Sequence, residues 1–180
     1  PEAINVNGTD SKLAIINVLK RTPTISWNTP ADITYETALS STQLNAASSV
    51  PRTFVYTPPS GIILSAGIQI LHVVFTPTDT TNYNTASADV QINVIAPPIA
   101  YFSATPTFGT VSLNVAFTDA STGTPTSWNW DFGDGNTSTD QNPVNEYSTA
   151  GKYTVSLTVK NAAGSDNAKK NNFITVNTVK

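Results

Sequence analysis

Chemistry, if this chain performs any, has few places to reside. The densest is Ser127 to Ser138, SWNWDFGDGNTS, which gathers Trp128, Trp130, Asp131, Phe132, Gly133, Asp134 and Gly135. Two aspartates three positions apart could act as a general acid and base if they shared a cleft, or hold a hard cation if further oxygens followed at alternate positions. Neither pattern is completed. A calcium loop counted from Asp131 meets Phe132 and Gly133 next, and Asn142 where a bidentate Glu should close it. In a tight turn the two carboxylates are expected to accept backbone N–H groups. The single histidine, His72, lies between Leu71 and Val73 with no nucleophile or orienting acid nearby in sequence, so it reads as a sheet-face residue. Cysteine is absent, which removes thiolate chemistry and disulfides together.

The elements that must position these residues are strands. Short alternating stretches recur along the chain, RTFVYTP, IQILHVVFTP, ADVQINVIA, VSLNVAFTD, KYTVSLTVK and NNFITVNT, separated by Pro, Gly, Asn and Asp. No stretch repeats apolar residues at helical spacing. On a strand reading, Trp128, Trp130 and Phe132 share the inward face, and the Gly133-Asp134-Gly135 turn follows as a hairpin. Gly133 and Gly135 supply positive φ there.

Adjacent prolines in IAPPIA, Ile95 to Ala100, impose an extended backbone and mark a linker. The expected architecture is all-β: two tandem immunoglobulin-like antiparallel β-sandwiches over 21–96 and 97–180, preceded by an extra β segment over 1–20. Charge is scarce, at 12% of 180 residues with a net charge of −3, while Thr, Ser and Asn make up about a third. A surface of that kind offers no basic stripe for nucleic acid or an anionic membrane. No apolar run approaches the roughly 18 residues of a membrane helix, so no membrane insertion by this segment is expected. Methionine is absent too, and the chain reads as a processed or excised segment.

From Phe102 to Asn177 the chain resembles a PKD domain. WNWDFGDG matches that family's signature, and YSTAGKYTVSLTVKNAAG, Tyr147 to Gly164, matches its second hallmark: a corner tyrosine, a glycine turn, and a strand alternating Tyr153, Val155, Leu157 and Val159. The resemblance implies a β-sandwich of extracellular proteins, no catalysis and no cofactor. Some members bind calcium through an Asp-x-Asp-Gly segment ahead of the tryptophan strand, where this chain has DASTGTPTS with Asp119 as the only acid. The first domain is similar to a prokaryotic immunoglobulin-like repeat of archaeal and bacterial surface proteins, through PTISWNTPADITYETALSSTQLNA, FVYTPPSG and FTPTDTTNYNTASADVQINV. Where such repeats carry glycines it has Glu36 and Arg52.

Two features suggest assembly. IQILHVVF sets Ile68, Ile70, His72 and Val74 opposite Leu71, Val73 and Phe75, so both strand faces are apolar, as when a neighbour covers one of them. Scattered surface isoleucines are the plainer alternative. The N-terminal segment offers Ile4 and Val6, an Asn7-Gly8 turn, then Leu13, Ile15, Ile16 and Val18 with both faces apolar: a hairpin without a sheet. Asn7 and Asn136 fit the Asn-x-Ser/Thr glycan acceptor pattern. The expected role is a non-catalytic structural module of an extracellular layer or filament, whose partners are copies of itself, neighbouring surface-protein domains, or glycans. The alternative is an accessory carbohydrate- or protein-binding module of a secreted hydrolase or adhesin.

Overall fold

The structure is a computed structural model that describes Glu2–Ile4, Ala14–Ile16 and residues 19–179. It is all-β, with no helix among the described residues. In chain order the strands are β1 (Glu2–Ile4), β2 (Ala14–Ile16), β3 (Ile33–Thr34), β4 (Arg52–Thr57), β5 (Gly67–Pro77), β6 (Ala86–Ile95), β7 (Phe102–Thr105), β8 (Phe108–Thr110), β9 (Leu113–Asp119), β10 (Ser127–Asp131), β11 (Thr137–Ser138), β12 (Val144–Tyr147), β13 (Gly151–Asn161) and β14 (Gly164–Asn177). Each stretch singled out above by its alternation became a strand. Two compact units result: Pro1–Ala31, Thr37–Leu64 and Ile68–Asn93 in the first, and Asp32–Glu36, Ser65–Gly67 and Val94–Lys180 in the second.

Strands β3-β6-β5-β4 form one sheet, in that order. Along β5, Leu71, Val73 and Phe75 are fully buried while Ile68, Ile70 and Val74 are exposed, so the two-residue period assigns one apolar set inward and leaves the other in solvent. Phe54 of β4 meets Phe75 edge-on at 5.9 Å, and Tyr56 meets Trp27 at 5.4 Å. Trp27 donates to the Gln43 carbonyl at 3.0 Å, and the Tyr56 hydroxyl accepts the Ala46 N–H at 2.9 Å. The segments outside this sheet make single bridges, Ser26 with Ala47 and Ala38 with Ile63. Glu36 holds φ 70°, a left-handed backbone conformation that glycine adopts far more readily.

Strands β1 and β2 pair antiparallel, Glu2 opposite Ile16 and Ile4 opposite Ala14, as a two-stranded sheet of their own. The Asn7-Gly8 turn, Leu13 and Val18 lie outside the described residues, as do the side chains of Ile15 and Ile16.

The second unit contains a five-stranded sheet, β11-β10-β13-β14-β8, and a three-stranded one, β12-β9-β7. Pairing is antiparallel except for β8 with β14, just as β3 pairs in parallel with the end of β6. The core draws on both sheets: Phe102, Val115, Phe117 and Tyr147 from the smaller, Trp130, Val155, Leu157, Val159, Ile174 and Val176 from the larger, with Phe132 just beyond β10. Trp130 is fully buried, with Phe102 at 5.2 Å and Phe117 at 5.4 Å between ring centroids. Its indole N–H reaches the Asp140 carbonyl at 2.9 Å, so no polar atom is stranded. Trp130→Ala is expected to lower the stability of this unit by about 3 to 5 kcal/mol, a loss to be read by denaturant unfolding followed through the remaining tryptophans.

Candidate functional site

The Asp-Gly stretch forms the loop between β10 and β11, with Trp130 opposite Ser138 and Asp131 opposite Thr137. Phe132 turns inward and is buried. Both glycines take positive φ, 78° at Gly133 and 95° at Gly135, as the turn reading requires. They differ in surroundings: a Cβ on Gly133 would lie 2.3 Å from the Thr154 carbonyl oxygen, whereas one on Gly135 would meet nothing within 4 Å.

The carboxylates are consumed by the fold. Asp131 accepts the Gly133 N–H at 2.9 Å. Asp134 accepts the Asn136 N–H at 2.9 Å through one oxygen and the Asn145 and Asn136 side-chain amides, at 2.8 and 3.1 Å, through the other. Asn145 is buried, and its own carbonyl oxygen accepts from the Asn136 amide at 3.2 Å. Tyr147, two residues along β12 on the same inward face, donates its hydroxyl to the Phe132 carbonyl at 3.1 Å. Burial drives the Tyr147 phenol well above its ordinary range, with the nearby Asp134 charge adding to the effect, so it stays a neutral donor. This is a turn lashed to the neighbouring sheet. Asn145 was not anticipated, yet its alternation with Tyr147 on one strand was a readable signal.

Asp119 plays a similar part for the other tryptophan. Trp128 is half-buried and donates its indole N–H to Asp119 at 2.8 Å; Ser121 N–H and the Gln141 amide bind the same carboxylate at 3.0 and 3.1 Å. Partial burial pushes the Asp119 carboxyl up, but hydrogen bonds from Ser121, Gln141 and Trp128 outweigh it, and its pKa falls below 3.8. A polar cleft of about 520 Å³ lies beside the loop, lined by Gly133, Asp134, Asn136, Ser148, Thr149 and Tyr153. Among the described residues no three His, Cys, Asp or Glu side chains converge as metal ligands.

Asn136 is exposed, but its side-chain nitrogen is engaged by Asp134 and Asn145, so in the folded turn the atom that would carry a glycan is already bonded. Asn7 lies outside the described residues.

In the first unit, His72 sits on the outer face of β5 with its Nδ1 2.5 Å from Asp89 Oδ1, and no hydroxyl bonds to the ring among the described residues. Around it lie Ile68, Ile70 and Val74, and Val55 stands directly opposite Val74 on β4. These four are 70%, 62%, 38% and 60% exposed.

Against known proteins, residues 95–176 match the PKD domain family. This part of the chain is a PKD domain. Collagenase ColA of Bacillus cereus is 40% identical over 75 residues, which cover 39% of this chain and 8% of that protein. Collagenase ColQ1 of the same species is 48% identical over 50 residues, 28% of this chain and 5% of the relative. The chain therefore spans under a tenth of the length of these curated relatives. The crystal structure of the PKD1 domain from the Vibrio cholerae metalloprotease PrtV is 34% identical, covering 45% of this chain and 98% of that one, with a TM-score of 0.39.

Two measurements test this reading of the PKD domain. Gly135→Ala is expected to cost only the strain of a left-handed alanine, about 1 to 2 kcal/mol, and Gly133→Ala distinctly more, because its methyl group meets backbone. Differential unfolding of the two variants checks the order. The second concerns acid. Since the Asp119 pKa is lowered by folding, its stabilisation is present above about pH 4 and is lost as pH falls through the folded value. The stability gap between the parent chain and Asp119→Asn should therefore be full at pH 6 and close towards pH 2.

Proposed function

We propose that the chain is a non-catalytic module of an extracellular assembly, in which the PKD domain serves as a rigid spacer and the first unit carries the adhesive surface. The observation behind this is the outer face of β4 and β5. Val55, Ile68, Ile70 and Val74 lie on two adjacent strands of a chain otherwise surfaced with hydroxyls and amides, and an apolar patch left in water is favourably covered by a partner. Copies of the chain, or neighbouring domains of the same surface layer or filament, are the partners proposed. The low net charge of −3 opposes such packing little. An extracellular location agrees with the PKD match and the collagenase relatives.

Sedimentation velocity over a range of concentrations tests the proposal. The parent chain is expected to associate. The double variant Ile68→Thr with Ile70→Thr, which keeps β-branched residues on the strand and so keeps the fold, is expected to weaken association at least tenfold. A parent chain that stays monomeric at every concentration overturns it.

A second reading draws on the 40% identity to a segment of a collagenase: an accessory module that brings a secreted hydrolase to a fibrous protein or polysaccharide. Co-sedimentation with insoluble collagen, and separately with insoluble polysaccharides, is its test, and a chain left wholly in the supernatant counts against it.

A further inference from the structure

The apolar face accounts for one side of the first sheet but leaves its edge unexplained. β4 is the last strand of the order β3-β6-β5-β4, with β5 as its one strand neighbour among the described residues. The Thr78 N–H donates to the Pro51 carbonyl at 2.9 Å, so the antiparallel alternation continues with Thr53, Val55 and Thr57 bonded to β5. Arg52, Phe54 and Tyr56 therefore direct their N–H and C=O groups away from the sheet. No hydrogen bond to these groups is formed among the described residues.

Two further features lie along the same edge. A largely apolar pocket of about 400 Å³ opens there, lined by Leu44, Phe54, Val55, Tyr56 and Pro59 among others. At the start of the strand, the Arg52 guanidinium rests over the Phe54 ring at 4.8 Å, and its Nε is a buried donor without a partner among the described residues. An unpaired edge beside a pocket for one side chain is the arrangement by which a sheet accepts an extra strand: the backbone supplies affinity and the pocket supplies register.

We propose that β4 is an acceptor edge, and that its occupant is the N-terminal segment of a second copy of this chain. The inference rests on the association reading above and names where the copies join. The occupant is indicated by β1 and β2, which among the described residues form a two-stranded sheet with no third strand, so that β2 pairs with β1 on one side. A two-stranded ribbon gains little stability alone. Adding it to β4 would pair its free edge with three N–H and three C=O groups. The seven residues Leu13 to Leu19 are nearly all apolar and match the six residues of β4 in length. Donor and acceptor are different surfaces, so the contact is head-to-tail and runs on from copy to copy.

The full chain contains no cysteine, which permits a direct test. One full-length preparation carries Ile15→Cys, another Thr53→Cys on the exposed outer side of β4, and the two are mixed under mild oxidation. A mixed disulfide is expected, and none when the second partner carries Thr118→Cys, on β9 of the PKD domain. In parallel, amide exchange at Phe54 and Tyr56 of the unmodified chain is expected to slow at least tenfold as concentration rises. Exchange at these two amides that is unchanged by concentration overturns the inference, whether or not a disulfide forms. If the chain still associates and loses that association in the Ile68→Thr, Ile70→Thr variant, the face reading survives and the edge reading alone fails. A chain monomeric at every concentration removes both.

Discussion

The PKD domain depends on the burial of one side chain. Trp130 lies on the larger sheet, and its ring is packed against Phe102 and Phe117 of the smaller, so a single residue spans the interior between the two layers. With no disulfide to restrain the unfolded chain, that aromatic contact must supply much of what holds the sheets together. Everything around it serves its placement. Leu157 stands opposite it on β13, Phe132 stacks beside it at 6.3 Å, and the Asp140 carbonyl satisfies its N–H.

The residues that most resembled catalytic machinery are explained by the same constraint. A strand that delivers Trp130 and Phe132 inward must then reverse within a few residues, and the reversal exposes backbone N–H groups that need acceptors. Asp131 and Asp134 provide them, and Asn145 and Tyr147 tie the loop to the smaller sheet. Carboxylates so occupied have little capacity left for substrate. In a chain with 12% charged residues, short polar side chains bonded to nearby backbone do the work that ion pairs do elsewhere.

The two units differ in what they leave uncovered. The PKD domain encloses its aromatic core and ties its loop down. The first unit keeps one face of β5 apolar in water and one edge of β4 unpaired. Outside its sheets, the described segments pair only through single bridges.

Much of this was legible from residues alone. The two-residue period located the long strands, placed Trp130 and Phe132 inside, and separated Ile68, Ile70 and Val74 from Leu71, Val73 and Phe75, because alternation on a strand is a local geometric fact. The turn role of Gly133 and Gly135 was equally local. What the chain order could not express was which distant groups would meet. That Asp119 holds Trp128, that buried Asn145 holds Asp134, and that Thr154 backbone forbids a side chain at Gly133 but leaves Gly135 free all depend on strands far apart in sequence lying side by side. The free edge of β4 belongs to the same class. A strand's alternation is written in its own residues, but whether it has one neighbour or two is decided only when the sheet closes, since backbone hydrogen bonds carry no side-chain code.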